Sequence, residues 1–465
     1  MFSRREVLRA LGALPAVGRL RHLSATELNY RLLGRTGRWV APLGLGGQAS
    51  LERSGGTMDR PDIIVRAVES GVNYLDSANA YGPSQTYYGE AFRRLRLVPT
   101  DPNYNAALRE RLYIASKTGQ RYALDRSRPT AETAITDLRR SLTQMFGDGK
   151  GFIPEDAYLD AFQIHNLGSL PQVDQIWEGF DRRGDRSLTR LGALAGLLDY
   201  RDGANVTGLN PERRRWIRHI GVTGHNSTVM MPCIQRDSEN ILDTLLTVLN
   251  ANDRQYQPNQ NNVIPLAAAR GMGVIAMKLF SQGVIYTKSN SEVVLTVGVP
   301  GGIPSSDLIR YPLSVPGVTV AVTGIGRIDR ENPPADQLLA NLAASQTAPV
   351  SADDVRRIEA EVAALHGADT NYFQDRGRGL VEPSNIGVQR DPDRVTVTWN
   401  SALAGAEPIR SYQIFAGDQL VAAVPYRPQT TTAPLSVSLP GALITAQPVR
   451  VVASESSAFP PRRRS

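Results

Sequence analysis

Between residues 43 and 322 short apolar runs recur at 43–45, 73–76, 112–116, 159–164, 218–222, 245–249, 273–277 and 318–322. Most lack strict apolar/polar alternation. They therefore read as strands buried on both faces, the pattern of a parallel sheet. Stretches such as 62–69 and 131–144 lie between them and read as helices. Eight alternating β and α units predict an α/β fold, a (β/α)8 TIM barrel. Upstream, the runs at 30–33 and 39–40 flank Gly34-Arg35-Thr36-Gly37, which predicts a β-hairpin. Downstream, Ser351 and Asp354 form a capping pattern, and Val355, Ile358, Val362 and Leu365 follow at helical spacing, so a last helix starts at Ser351.

The pattern changes after about residue 371. Residues 374–383 are rich in Gly, Arg and Pro and read as a linker. Beyond it Val395, Val397 and Trp399 alternate onto one face, and Tyr412 and Ile414 continue that pattern. Pro408-Ile409-Arg410-Ser411-Tyr412 and the stretch 449–454 resemble parts of a fibronectin type III sandwich. The sequence runs into Pro460-Pro461 and a basic tail before a full last strand. This predicts a shortened sandwich of that kind or another immunoglobulin-like one. At the other end, Ser3-Arg4-Arg5-Glu6-Val7-Leu8 and the apolar stretch 10–18 resemble a twin-arginine export signal, with small residues for cleavage at Ala16-Val17-Gly18 and Ser24-Ala25. The division predicted is a signal peptide at 1–25, a barrel at 28–366, a linker at 367–383, a small all-β sandwich at 384–456 and a basic tail at 457–465. The signal predicts an exported protein, periplasmic or secreted. The alternative is a frayed amphipathic helix on a cytoplasmic one.

Charge changes this picture little. The net charge of +7 comes almost wholly from arginine, because the only lysines are Lys117, Lys150, Lys278 and Lys288. The arginines are spread along the chain beside acidic residues. Arg213-Arg214-Arg215 and Arg462-Arg463-Arg464 are local exceptions and read as solvated surface. No nucleic-acid partner is expected. No run of eighteen apolar residues occurs, so no stable membrane insertion is expected. The single Cys233 excludes an intramolecular disulfide and any CxxC motif, and no metal-ligand cluster appears.

Four polar residues stand where barrel chemistry belongs. Asp76 ends the second strand, Tyr81 lies in the loop after it, Lys117 follows the third strand and His165 the fourth. Active sites of such barrels collect at the C-terminal ends of several strands, so these four converge. Their types suit carbonyl reduction. Hydride arriving at a carbonyl carbon leaves negative charge on oxygen, which needs a proton donor and an electrostatic stabiliser. A free tyrosine hydroxyl titrates near roughly 10, and a neighbouring ammonium favours its phenolate. Asp76 can hold Lys117, and His165 can donate to the carbonyl oxygen. Taken singly, each is more often a packing or surface residue. Their joint spacing, in a chain so poor in Lys and His, singles them out.

The run Asn73-Tyr74-Leu75-Asp76-Ser77-Ala78-Asn79-Ala80-Tyr81-Gly82-Pro83-Ser84, with Gly89-Glu90-Ala91, resembles the aldo-keto reductase signature. Ile114-Ala115-Ser116-Lys117 is similar to that family's lysine strand, Asp160-Ala161-Phe162-Gln163-Ile164-His165 to its histidine strand, and Leu33-Gly34-Arg35-Thr36-Gly37 to its hairpin. The resemblance covers residues 28–366. It implies NADP(H) as cofactor, a small carbonyl or alcohol substrate, and Asp76, Tyr81, Lys117 and His165 as catalytic residues.

It also implies a cofactor side, where this chain departs from the family. The family's Ser-Asn pair after the fifth strand reads Thr223-Gly224-His225-Asn226. Thr223 can replace the hydroxyl. Gly224 cannot replace the amide, which leaves His225 or Asn226. The usual Gln of the sixth strand is missing from Leu245-Leu246-Thr247-Val248. Met277-Lys278-Leu279-Phe280-Ser281-Gln282-Gly283 resembles the pyrophosphate-covering loop, implicating Lys278 and Gly283. Thr323-Gly324-Ile325-Gly326-Arg327 follows the eighth strand, where phosphates often bind. Gly324 is the backbone candidate there, and Arg327 is positioned by sequence to favour a 2′-phosphate. Gly44-Leu45-Gly46-Gly47-Gln48-Ala49 fits a dinucleotide fingerprint but opens no helix, so it reads as the first βα turn. Two further readings remain: a nucleotide-binding redox-sensing or regulatory module with little turnover, and protein or surface binding through the sandwich. The substrate itself is set by pocket loops, for which the long insertions 99–109 and 200–215 are the candidates.

Overall fold

A computed structural model describes residues 28–55, 58–119, 129–252, 258–281, 285, 303–326, 328, 331, 336–347, 349–366 and 379–455. The expected signal at 1–25, Gly283, Arg327, most of the linker and the basic tail lie outside the described residues. A hairpin comes first, β1 (Arg31–Leu32) antiparallel to β2 (Trp39–Val40) across a short 3₁₀ turn. Eight parallel strands then close a barrel: β3 (Leu43–Gly46), β4 (Tyr74–Asp76), β5 (Tyr113–Lys117), β6 (Leu159–Leu167), β7 (Ile217–Gly224), β8 (Leu242–Val248), β9 (Gly273–Met277) and β10 (Val318–Thr323). Each strand pairs with the next, and β10 pairs back onto β3, with Ala321 opposite Leu43.

Burial on both faces explains the missing alternation in the sequence. Every residue of β4, β5 and β8 is buried. The period of two nevertheless sorts the side chains. Tyr74, Tyr113, Ala115, Ala161, Leu246, Ile275 and Val320 form the inner core, while Leu75, Ile114, Phe162, Ile164 and Leu245 pack outward under the helices. Continuing the inward parity carries Asp76, Lys117 and His165 into the barrel mouth.

The hairpin closes the opposite end. Leu33 and Val40 join the inner core from below. Gly34, at φ +51°, approaches so closely that a Cβ would lie 2.3 Å from the Gly273 nitrogen. Arg35 then reaches Asp243 at 3.3 Å, together with the Arg270 and Leu242 carbonyls.

The insertions at 99–109 and 200–215 also belong to this base. The first contains the start of the helix Ala106–Arg111 and leads into β5, and the second leads into β7. Segments that enter a strand lie at its N-terminal end, so these two do not shape the pocket, contrary to the sequence expectation. The first instead supplies Arg109, buried, whose Nη1 donates to Asp160 Oδ2 at 2.8 Å. The same carboxylate oxygen accepts the Ile114 N–H at 3.0 Å.

Six further strands form two antiparallel three-stranded sheets. They are β11 (Ser384–Arg390), β12 (Arg394–Asn400), β13 (Ser411–Ala416), β14 (Gln419–Pro425), β15 (Leu435–Pro440) and β16 (Val449–Ser454), in the orders β11-β12-β15 and β14-β13-β16. Val395, Val397, Trp399, Tyr412 and Ile414 face inward between the sheets. This body packs along the barrel wall. Gln235 donates to the Gln429 carbonyl at 2.9 Å, Arg270 to the Thr430 carbonyl at 3.0 Å, and Leu403 packs on the barrel core.

Breaking a buried ion pair from one side leaves an uncompensated charge and typically costs about 3–5 kcal/mol. Arg109→Leu is therefore expected to lower the unfolding free energy by about that amount, read by urea denaturation of the full chain. A loss under about 1 kcal/mol, the scale of an exposed pair, would show that Asp160 is already met by the Ile114 amide and by Arg218, which lies 3.6 Å from its other oxygen.

Candidate active site

Asp76, Lys117 and His165 come from the C-terminal parts of adjacent strands β4, β5 and β6. Lys117 is fully buried, and its Nζ donates to Asp76 Oδ2 at 2.6 Å and to the Ser77 carbonyl at 2.9 Å. Burial pushes the Asp76 carboxyl above its ordinary range, and the Lys117 charge pulls it back. Tyr81 follows on a turn closed by its N–H to the Ala78 carbonyl at 3.1 Å, and the helix Ser84–Arg94 starts directly after. The Lys117 ammonium lies 4.8 Å from the Tyr81 ring centroid. Tyr81 Oη lies 3.4 Å from His165 Nε2, with the two rings edge to face. The structure thus brings together all four residues singled out in the sequence.

A second layer holds them. Asn79 Nδ2 donates to the Lys117 carbonyl at 3.1 Å, the Asp137 carbonyl at 2.8 Å and Ser141 Oγ at 2.8 Å. Gln85 Nε2 donates to Ser116 and Ser141. Thr118 Oγ1 accepts the His165 N–H at 3.0 Å. The sequence offers Asn79 only as part of the motif and Gln85 just outside it. Asn79 lies three residues after Asp76 and Gln85 four after Tyr81, and that nearness was the available signal.

The cofactor-side candidates are spread around the same mouth. Thr223 Oγ1 accepts the N–H of Asn166, the residue after His165, at 2.7 Å, which leaves its own proton to donate. Gly224 has no room for a side chain, because a Cβ would stand 2.3 Å from Met230 Sδ and 3.0 Å from the Leu167 carbonyl. Its neighbour His225 turns inward instead, with Nδ1 2.8 Å from Asn166 Oδ1. The amide oxygen can only accept, so Nδ1 is the protonated nitrogen. Burial, and then the Lys278 charge, push the His225 pKa down to about 3. Lys278, after β9, donates to Gln48 Oε1 at 2.9 Å, joining the β9 loop to the first βα turn. Gly324 packs under Ala49. The helix Gln337–Gln346 beyond it is capped by Asp336, whose carboxylate takes the Leu339 N–H at 3.0 Å. A carboxylate there opposes phosphate binding at that helix end. Gly44–Ala49 forms β3 and a turn, with the next helix starting only at Arg60.

One cofactor-side feature escaped the sequence. Past β8, Asn250 Nδ2 donates to the Lys278 carbonyl at 3.2 Å, and its Oδ1 accepts the Asn252 N–H at 3.0 Å. Both polar atoms of the buried Asn252 side chain have no hydrogen-bond partner among the described residues, and Asn226 Oδ1 is also buried without one. Unpaired buried amide groups at a barrel mouth fit the needs of a carboxamide ligand.

Residues 42–192 match the Aldo/keto reductase family. The matched stretch contains Asp76, Tyr81, Lys117 and His165. The chain is 25% identical to a pyridoxal 4-dehydrogenase from Microbacterium luteolum, over 58% of this chain and 75% of that one. The family match and this relative support an aldo/keto reductase family domain here. Among solved structures, a putative aldo-keto reductase from Pseudomonas aeruginosa shares 21% identity at a TM-score of 0.41, covering 68% of this chain and 94% of its own. A thermostable aldo-keto reductase shares 18% at a TM-score of 0.46, covering 72% and 100%.

The neutral His225 sets a pH dependence. In the unfolded chain a histidine takes up its proton near pH 6.5, whereas in the folded chain His225 does so only near 3. Between these values the unfolded state binds the extra proton, so stability falls as pH falls, by up to about 1.4 kcal/mol per pH unit. His225→Gln is expected to flatten the melting-temperature profile between pH 6.5 and 4. An unchanged profile would show that His225 titrates alike in both states.

Proposed function

We propose that this chain is an NADP(H)-dependent oxidoreductase that interconverts a carbonyl, aldehyde or ketone, and an alcohol by hydride transfer. The family match and the dehydrogenase relative support carbonyl–alcohol oxidoreduction. The observation that carries the reading is the mutual placement of Lys117 Nζ, Tyr81 Oη and His165 Nε2. Two hydrogen-bonding groups 3.4 Å apart can both reach one oxygen atom at ordinary hydrogen-bond length.

The nicotinamide, when bound, supplies or accepts the hydride. In reduction Tyr81 gives its hydroxyl proton to the carbonyl oxygen, and in oxidation it takes that proton back. Lys117 offsets the phenolate charge left behind, and Asp76 keeps the ammonium in place. His165 orients the oxygen. Tyr81 is only 5% exposed, so the proton exchanges in a site largely closed to water. Asn252, Asn226 and the Thr223 hydroxyl are the groups suited to hold the carboxamide, in place of the family's Ser-Asn pair and Gln. The preference for NADP(H) rests on Arg327 in the sequence. Pyridoxal names the relative's substrate, so small aromatic aldehydes and alcohols head the panel to be tried here.

Tyr81→Phe removes only the proton donor. It is expected to leave NADPH affinity unchanged and to lower kcat/KM by about 10² or more. Lys117→Met is expected to lower turnover as well. Fluorescence titration with NADPH and NADH, followed by a carbonyl and alcohol panel, tests both parts. Full turnover in Tyr81→Phe sinks the assignment. Tight NADPH binding without turnover of any substrate favours the regulatory module instead.

The division of the chain into a signal, a barrel, a linker, a fibronectin type III-like sandwich and a tail is part of the same proposal, as is export. The support for export is Arg4-Arg5 with the short apolar stretch behind it. The twin-arginine route carries folded proteins, so the nucleotide can be loaded before export. The mature chain is expected to begin after about residue 18 or 25 in analogy with such signals, and Arg4→Lys with Arg5→Lys to trap the precursor in the cytoplasm. Fractionation of the native host with N-terminal sequencing decides it. An intact Met1 leaves a cytoplasmic enzyme.

A further inference from the structure

The sandwich meets the barrel at two places of different kind. The first lies at the far ends of two helices, where Gln235 of the helix Ser227–Gln235 and Arg270, just past the helix Val263–Ala269, hold the Gln429 and Thr430 carbonyls. The second lies at the short turn Asn259–Asn261, close to the barrel mouth. There the buried Asn262 side chain pairs with one sandwich residue in both directions. Its Nδ2 donates to the Ala404 carbonyl at 3.1 Å, and its Oδ1 accepts the Ala404 N–H at 2.8 Å. Asn261 Nδ2 adds bonds to the Gly405 and Ala406 carbonyls at 3.1 and 3.2 Å.

The same turn is bonded to the mouth on its other side. Asn259, fully buried, donates from Nδ2 to the His225 carbonyl at 3.0 Å and the Val248 carbonyl at 2.9 Å. Its Oδ1 accepts from Ser227 Oγ at 2.7 Å, and Ser227 Oγ in turn accepts the Val263 N–H at 3.3 Å. His225 continues to Asn166, the neighbour of His165. An unbroken series of hydrogen bonds therefore runs from the sandwich loop 404–406 through the turn to the loop that carries His225 and Asn226.

We propose that the sandwich is a positioning element of the barrel site: its loop 404–406, latched onto Asn261 and Asn262, holds the His225–Asn226 loop in place for the nucleotide. A loop past a barrel strand has no regular ladder to fix it. Here its carbonyl is fixed by Asn259, and Asn259 sits on a turn whose other face is occupied by the second domain. Buried amide groups bonded on every side leave such a turn one low-energy arrangement, whereas a released Asn261 or Asn262 frees it to move. The tetrad is built from β4, β5 and β6 and does not depend on this turn. Loss of the latch is thus a loss of nucleotide binding rather than of chemistry. The effect on binding rests on the reading that His225 and Asn226 face the nucleotide.

The test uses the full chain, with Asn261→Ala and the double variant Asn261→Ala/Asn262→Ala. Gln235→Ala serves as control, because it removes a domain contact at the far end of its helix that is not bonded to the turn Asn259–Asn261. Two readouts are taken well below the melting temperature: amide hydrogen exchange over residues 224–229, and the NADPH dissociation constant. The latch variants are expected to exchange about 5-fold faster there and to bind NADPH about 5-fold more weakly, the lower end of ordinary intersite coupling. Gln235→Ala is expected to stay within about 2-fold of the parent on both readouts, inside the error of additivity for distant sites. Asn261 is only part-buried, so Asn261→Ala folds even if the double variant does not, and its exchange alone decides the latch. Unchanged exchange in Asn261→Ala, or an equal effect of Gln235→Ala, overturns the proposal. Faster exchange in a chain that binds no nucleotide even as the parent leaves the latch standing and overturns the function assigned above.

Discussion

The buried contact between Lys117 and Asp76 is the constraint around which the barrel mouth is arranged. A fully buried ammonium is costly unless its charge and its protons are met. Asp76 at 2.6 Å and the Ser77 carbonyl at 2.9 Å meet it. Burial in turn works against the carboxylate, and the ammonium counters that. Neither residue is tolerable there without the other. Their separation is set by strand register, with Asp76 opposite Ala115 and Lys117 two residues further along β5. That register is shared with the inner core of Tyr74, Tyr113 and Ala115. The position of the charge beneath the Tyr81 ring is therefore a consequence of how the barrel packs, and Asn79 locks it by holding the Lys117 carbonyl.

The two ends of the barrel divide the work. The base gathers charge pairs: the buried Arg109 with Asp160, the partly buried Arg35 with Asp243, and the exposed Glu110 between Arg38 and Arg218. The Arg218 guanidinium, then Arg38, hold the Glu110 carboxyl down to about 2. These groups contribute to a closed, stable base and lie away from the mouth. The two insertions that look like substrate loops in the sequence belong to this end. Strain or looseness needed for turnover can then reside at the mouth without loosening the base.

What the sequence revealed follows from the same physics. The eight strands were legible because burial on both faces leaves continuous apolar runs. β8 starts three residues before the expected run because Asp243 lies near its start, where its carboxylate accepts the Ile220 N–H and meets Arg35. A charged residue inside a strand reads as a boundary until its partners are known. The tetrad was legible because Lys and His are scarce and fall at strand ends. Arg109 and Asp160 are fifty-one residues apart and carry no local signal. The amides past β8 were not legible because the family keeps its Gln on the strand itself, and Asn250 and Asn252 lie just beyond it.

The amide-rich side of the mouth has an electrostatic consequence. Asn166, Asn226, Asn250, Asn252 and Asn259 are neutral, and His225 is kept neutral by burial down to about pH 3. The Lys117 charge is balanced by Asp76. A nicotinamide ring gains and loses a positive charge as it exchanges hydride. On the proposed function these neutral dipoles orient such a ring through its carboxamide, while the Lys278 ammonium, whose charge is felt at His225, works against the positively charged oxidised ring. With Gly224 hemmed in by Met230, the orienting task on the proposed function falls to residues past two strand ends, those of β7 and β8. Those ends keep their spacing through Asn259 and the turn it anchors, which is where the second domain is attached. On the proposed reading, a barrel whose nucleotide side depends on loops rather than on one strand-end pair has more reason to keep an outer domain bonded to them.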